Sequence, residues 1–312
     1  MSFKFLQIPH RMNVKRREFL RAGLSALTFA ILGKSLRGLT KERTETELDL
    51  IPPSPDTLLL RFVAVADTGA GNEGQYAVGR AIARYHEQNP FDLVLLGGDN
   101  IYNHGEIEKI ERVFEQPYRS LLDAQVKFYA CLGNHDIKTN NGNDQVQYPG
   151  FNMQGRYYSL RRDQVEFFVL DTNRNADWQS QLPWLETQLQ ESDAPWKIVM
   201  GHHPLYTSGL HLGSRFLRRK LMPLFLEHGV SLYINGHNHN YERSQTIGNT
   251  TYLTCGAGAK TRRVGRSSWT ARSASQLSFA AVEIYSDRLH ITGIDQNNRT
   301  FDRGAIAILN PV

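Results

Sequence analysis

Six apolar runs rich in Val, Leu, Phe and Tyr recur through the chain: Leu58 to Ala66, Leu93 to Leu96, Val126 to Leu132, Val165 to Leu170, Lys197 to Met200 and Ser231 to Ile234. Short continuous runs of this kind suit strands covered on both faces. Between several of them lie amphipathic stretches of helical period, Asn72 to Gln88, Glu106 to Leu122, Leu182 to Gln190 and Arg215 to His228. The alternation restricts the chain to an α/β layered fold. Residues Tyr157 to Leu170 and Ala280 to Ile294 read instead as strand pairs, turning at Arg161-Arg162-Asp163-Gln164 and at Ser286-Asp287-Arg288, so antiparallel pairing is mixed into the sheets. With 312 residues, 40% of them hydrophobic, there is material for a sizeable core. No repeat and no second compositional regime appears, and one folded domain over residues 57–312 is expected.

The formal charge of +5 invites a nucleic-acid reading, but its distribution argues against one. Nine Lys/Arg and a single Glu fall within the first 41 residues, leaving residues 42–312 at a net −3. No nucleic-acid partner is expected. The basic leader reads Lys15-Arg16-Arg17-Glu18-Phe19-Leu20-Arg21, followed by an apolar stretch from Ala22 to Gly33. It resembles a bacterial twin-arginine export signal, which implies the twin-arginine export machinery as a partner and a periplasmic or extracellular destination. A spanning helix needs about 20 apolar residues, so no stable membrane span is expected after signal removal. No clear small-x-small cleavage site is present after the apolar stretch, which leaves uncleaved anchoring open, as does a basic helix lying on a membrane surface. Met12 is an alternative start. The signal is assigned to residues 1–39 and a polar, then Pro-rich, linker to residues 40–56. Cys131 and Cys255 are the only cysteines, which excludes a disulfide framework and a thiolate zinc site. Both lie in apolar strand contexts and are expected as buried free thiols, although an oxidising compartment permits a disulfide.

Five segments carry chemistry, and each comes directly after an apolar run: Ala66-Asp67-Thr68-Gly69, Gly98-Asp99-Asn100-Ile101-Tyr102, Gly133-Asn134-His135-Asp136, Val199-Met200-Gly201-His202-His203 and Gly236-His237-Asn238-His239. Loops at the carboxyl ends of strands are where α/β folds place their sites. A lone Asp or Asn there is usually a turn or cap residue, and a lone His pair is usually structural. Gly-His-Asn-His is more specific, since imidazoles one residue apart on extended chain point to one side and can bind neighbouring metals. All five in this order form a ligand set for two ions: Asp67, Asp99, Tyr102, Asn134, His202, His237 and His239.

The set resembles that of the purple acid phosphatases, a tartrate-resistant-type branch of the calcineurin-like metallophosphoesterases, over nearly the whole predicted domain. The resemblance implies two mixed β-sheets packed as a sandwich flanked by helices, with residues 57–312 as the catalytic domain. It implies Fe(III) held by Asp67, Asp99, Tyr102 and His239, and a second, divalent ion, Fe, Zn or Mn, sharing Asp99 and adding Asn134, His202 and His237. Donor chemistry agrees: carboxylate and phenolate are hard anionic oxygens suited to a trivalent ion, whereas two imidazoles and an amide suit a divalent one. Many superfamily members carry Asp-x-His in the first motif. Here Gly69 stands at that His, and Tyr102 supplies an oxygen instead.

The activity so implied is hydrolysis of small phosphomonoesters by a metal-bound hydroxide, without a phosphoenzyme, in the acid phosphatase manner. By the same resemblance His135 contacts phosphate and assists the leaving group, Asp136 orients His135, and His211 is an outer-sphere histidine. His203 is expected to line the site without binding metal. Tyr241-Glu242-Arg243 is similar to an extension of plant members. The connection from Asp171 to Trp184 is too short for the cleavable loop of mammalian ones, which suggests an open cleft. The basic stretch Lys260, Arg262, Arg263, Arg266 near Trp269 reads as a solvated loop, with contact to an anionic substrate as the alternative. Competing readings are a phosphodiesterase or nucleotide hydrolase of the same superfamily and a metal- or phosphate-binding protein that has lost catalysis.

Overall fold

The computed structural model describes residues 58–308. The expected export signal (residues 1–39) and linker (residues 40–56) lie outside the described residues, as do residues 57 and 309–312. The strands in chain order are β1 (Leu58–Val65), β2 (Leu93–Leu96), β3 (Lys127–Ala130), β4 (Tyr158–Arg162), β5 (Val165–Val169), β6 (Trp196–Met200) and β7 (Val230–Asn235). They continue with β8 (Tyr241–Ser244), β9 (Thr251–Cys255), β10 (Thr270–Ala274), β11 (Ser278–Tyr285), β12 (Arg288–Asp295) and β13 (Thr300–Ala307). One sheet has the order β13-β12-β11-β1-β2-β3, the other β10-β8-β9-β7-β6-β5-β4. Pairing is parallel for β1-β2-β3 and for β5-β6-β7-β9, and antiparallel at the flanks. The expected hairpins β4-β5 and β11-β12 are both present.

Side-chain alternation explains the layering. In β1, Phe62 and Ala64 pack into the core shared with Phe167, Ile198, Met200, Leu232 and Ile234 of the second sheet. Val63 and Val65 point the other way, against Val78, Ala81 and Ile82 of helix α1 (Glu73–Gln88). The short helix α2 (Arg119–Asp123) adds Leu121 to that layer, while α3 (Asn143–Gln147) sets Gln145 against the loops of Gly105 and Asp136. The outer face of the second sheet is covered by α4 (Trp178–Glu191) and α5 (Arg215–Glu227), through Leu185, Leu189, Leu217, Leu221 and Phe225. The result is the expected sandwich of two mixed sheets between helical layers. Fully burying one such aliphatic or aromatic side chain stabilises by about 1.5–3 kcal/mol. Among the described residues no helix is long and apolar enough to cross a membrane.

Two helices differ from the sequence expectation. The stretch from Glu106 to Leu122 is not one helix but a 3-10 turn (Ile107–Lys109), a wide π turn (Glu111–Glu115) and then α2, with Pro117, which has no amide to donate, in between. Helix α4 begins at Trp178 rather than at Leu182, because the Asp177 side chain caps the amides of Gln179 and Ser180 and Pro183 is carried inside. Cys131 and Cys255 are buried free thiols, as expected, and burial pushes both thiols up.

Candidate metal centre

All five motifs lie where a parallel strand ends. Asp67, Asp99 and Asn134 come after β1, β2 and β3 of the first sheet, while His202 and His237 come after β6 and β7 of the second. The two sheets meet at this edge through bonds that cross between them: Ala66 N–H donates to Cys255 O at 2.9 Å, and His202 Nδ1 donates to Gly97 O at 2.9 Å. Because a carbonyl only accepts, Nδ1 of His202 carries a proton, and Nε2 is the atom turned to the site. There it lies 3.2 Å from Asn134 Oδ1 and 3.5 Å from Asp99 Oδ1.

A second group sits beside the first. The Tyr102 hydroxyl donates to Asp67 Oδ1 at 3.0 Å and lies 3.1 Å from His239 Nε2, which is itself 3.4 Å from Asp67 Oδ1. Asp67 Oδ2 accepts the His237 amide at 2.8 Å, and the His237 ring centre lies 5.2 Å from that of His202. His239 thus belongs to the Asp67–Tyr102 group and His237 to the His202 group. They do not reach these places from extended chain: His237 adopts φ 69°, and a left-handed turn sends the two imidazoles apart. Asp67 (φ 56°) and Asp99 (φ 54°) are left-handed as well.

Electrostatics and donor chemistry fit a pair of cations. Asp67, Asp99 and His202 are almost fully buried, and their ligand atoms lie within 4.8 Å of one another. Burial, then the Asp67 and Asp99 carboxylates, hold the Tyr102 phenol far above its ordinary range. Burial draws His202 down, but Asp99 and Asp67 outweigh it and leave the imidazole raised. Protons on these two groups stand where cations would neutralise the same carboxylates. Burial, followed by the neighbouring imidazoles, pushes His237 well down, which keeps it in the neutral form that binds metal.

Gly69 is closed to any side chain. A Cβ there would fall 2.2 Å from the Asn100 carbonyl carbon and oxygen and 2.4 Å from the Ile101 nitrogen. Gly69 O also accepts the Tyr102 amide at 2.8 Å, so the segment bearing Tyr102 lies flat on Gly69. The backbone that leads into Tyr102 leaves no room for a side chain at Gly69. Gly133 is similarly constrained, its Cβ position lying 2.2 Å from Asp99 Oδ1.

The outer residues fall into place unevenly. His135 has its amide on Asp99 Oδ1 (2.9 Å), its Nδ1 against Asn103 O (2.7 Å) and Lys138 Nζ (3.0 Å), and its Nε2 turned to Asp99 Oδ2 (3.9 Å). The expectation that Asp136 orients His135 is not met. Its carboxylate is fully buried, pushed up to about 7 by burial and Asp99, and accepts from the amides of Asn100, Ile101 and Gly133 and from Gln145 Nε2. Asp136 therefore ties the Asp99 loop to the Asn134 loop. His211 lies over His237, with ring centres 4.6 Å apart, and its Nε2 meets the Arg262 guanidinium. His203, not expected to bind metal, joins His202 and His237 in a group with ligand geometry; burial and then His202 push it down to about 3.

Sequence reasoning assigned no role to Asn238 or Glu242, and both position this site. Asn238, fully buried between the two histidines, accepts the His211 amide (2.9 Å) and donates to His211 O (2.8 Å) and Thr207 Oγ1 (3.1 Å). Glu242 accepts the Ser208 amide at 2.6 Å. A polar residue between two candidate ligands was the available signal for Asn238. A cleft of about 800 Å³ lies at the opposite, amino-terminal ends of β6 and β7, around Pro195, Lys197 and Gly229, and shares no residue with the cluster.

This sandwich, with carboxylates and imidazoles gathered at one edge of both sheets, matches the calcineurin-like phosphoesterases over residues 60–241, and the chain belongs to that family. Within the family it belongs with the purple acid phosphatases. It is 30% identical to Purple acid phosphatase 17 of Arabidopsis thaliana over 247 residues, 68% of this chain and 72% of the relative. Its fold is similar to that of a purple acid phosphatase from yellow lupin (Lupinus luteus) seeds (TM-score 0.68, 17% identity, 80% of this chain and 53% of that one). It is also similar to GAP50, the anchor in the inner membrane complex of Plasmodium (TM-score 0.73, 22% identity, 80% of this chain and 89% of that one). The protein is a hydrolase of phosphoesters that works through a dinuclear metal site.

Proposed function

We propose that this protein is an acid phosphatase acting on small phosphomonoesters. The observation that carries the reading is the Asp67–Tyr102–His239 group, closed by Gly69, beside the Asp99–Asn134–His202 group. In this reading Asp67, Asp99, Tyr102 and His239 hold Fe(III), and Asp99, Asn134, His202 and His237 hold a divalent Fe, Zn or Mn. Bound there, the ions would supply a hydroxide nucleophile in mildly acidic solution and neutralise charge as the ester is cleaved.

The remaining chemistry belongs to the chain. His135 turns Nε2 toward the Asp99 side of the cleft, and we assign it the hydrogen bond and proton that the departing ester oxygen needs. Arg262, bonded to His211 Nε2, presents a cationic edge above His237. Asp136 holds the loops of Asp99 and Asn134 at a fixed separation and touches no substrate.

Turnover of p-nitrophenyl phosphate against its bis ester tests the monoesterase reading; a strong preference for the diester would reject it in favour of a phosphodiesterase. His135→Ala is expected to lower kcat about 100-fold with an alkyl phosphate, and less with the good nitrophenolate leaving group. An equal loss with both esters would remove His135 from leaving-group protonation. The proposal includes export by the twin-arginine route. Replacing Arg16 and Arg17 by Lys should hold the protein inside the cell, and unaffected export would refute that part.

A further inference from the structure

The basic stretch from Lys260 to Arg266 divides in two. Arg263 and Arg266 are exposed, as is Lys260, and among the described residues Arg266 bonds to the Ala271 carbonyl nearby. Lys260 and Arg262 turn to the metal cluster. Lys260 Nζ lies 5.4 Å from the centre of the Tyr102 ring, and Arg262 meets His211, whose ring lies tilted against that of His237. One short loop therefore sets an ammonium above the Asp67–Tyr102 group and a guanidinium above the His202–His237 group.

This loop is not a loose one. Gly258 N–H donates to Ala66 O (3.2 Å), Arg262 N–H to His239 O (2.6 Å), Val264 N–H to Ser275 Oγ (3.1 Å) and Gly265 N–H to Ser208 O (3.0 Å). The loop backbone is thereby tied at Gly258 and Arg262 to the segments that carry Asp67 and His239. Among the described residues neither pairs with a carboxylate. Positive charge without a carboxylate partner beside a site that takes a phosphate ester has an evident use: it binds an anion.

We propose that Lys260 and Arg262 form an anion subsite that binds a second phosphate group on the substrate, so that bisphosphorylated small molecules are favoured over simple phosphomonoesters. Two cations match the dianionic charge of a phosphate better than the single charge of a carboxylate, and the guanidinium fork matches phosphate geometry. The inference rests on the phosphomonoesterase reading for its context, but its test does not depend on turnover.

The metal-loaded full chain is titrated calorimetrically with propane-1,3-bisphosphonate and with propylphosphonate, neither of which is hydrolysed. The wild type should bind the bisphosphonate at least about tenfold more tightly, beyond the twofold statistical advantage of two ends. In Lys260→Met/Arg262→Gln the ratio should fall to about two. Arg263→Gln/Arg266→Gln, which removes the same charge from the solvent side, should keep the wild-type ratio. A wild type with no preference, or a Lys260→Met/Arg262→Gln variant that retains it, overturns the subsite. Separate turnover of p-nitrophenyl phosphate reports on the enzyme itself, so its failure is not mistaken for failure of the subsite.

Discussion

Three residues of the cluster, Asp67, Asp99 and His237, hold left-handed backbone, which costs a non-glycine residue about 1–3 kcal/mol each. For the two aspartates that strain persists because each is clamped on both sides: Asp67 by Gly98 O and the His237 amide, Asp99 by the amides of Gly69 and His135. Gly69 shows how one residue decides the chemistry of its neighbours. A histidine placed there would drive its Cβ into the Asn100–Ile101 backbone and displace the chain that carries Tyr102. Gly69→His is therefore expected to lower stability to urea by about 1–3 kcal/mol or more and not to create an Asp-x-His site. A variant that keeps wild-type stability and binds metal through the new imidazole would contradict the steric argument.

At the scale of elements, the parallel strands β1, β2, β3, β6 and β7 were legible because each is a continuous apolar run ending in a chemically marked loop. β8 and β13 were not, since Glu242, Arg243 and Asp302 are charged residues made buriable only by partners distant in sequence. The ligand motifs could be read from residue type and order. The direction of Asp136 could not, because its partners Asn100, Ile101 and Gln145 come from other loops. Asp136→Asn places an amide donor against backbone donors whichever way it turns. It should cost about 1–3 kcal/mol in urea unfolding, with loss of activity accompanying loss of the loop geometry. Full stability with activity lost would restore the role of orienting His135.

For the molecule as a whole, the site depends on two sheets keeping their edges aligned. Away from the metal edge, Asp302 of β13 accepts from Arg243 Nε (2.8 Å) and Nη2 (3.0 Å) and from the Tyr241 hydroxyl (2.7 Å), linking the first sheet to β8 of the second. This link is buried, so Asp302→Ala should destabilise by about 3–5 kcal/mol, whereas a matched apolar set, Tyr241→Phe with Arg243→Met and Asp302→Leu, should recover much of it. Equal thermal stability of Asp302→Ala and wild type would show that the sheets are held without this clamp. Arg262 and Lys260 belong to the same scale, since their loop is joined to the first sheet at Ala66 and to the ligand loop of the second at His239.

Everything proposed for the chemistry turns on Tyr102, laid on Gly69 and bonded to Asp67, being the phenolate ligand of a ferric ion. The most direct measurement is the visible absorption spectrum of the iron-loaded, oxidised protein beside that of Tyr102→Phe at equal iron content. The wild type is expected to be purple or pink, and the Tyr102→Phe variant folded, metal-bound and bleached. A wild type that is colourless and fully active with manganese or zinc alone, or a variant that keeps the band, would contradict that assignment.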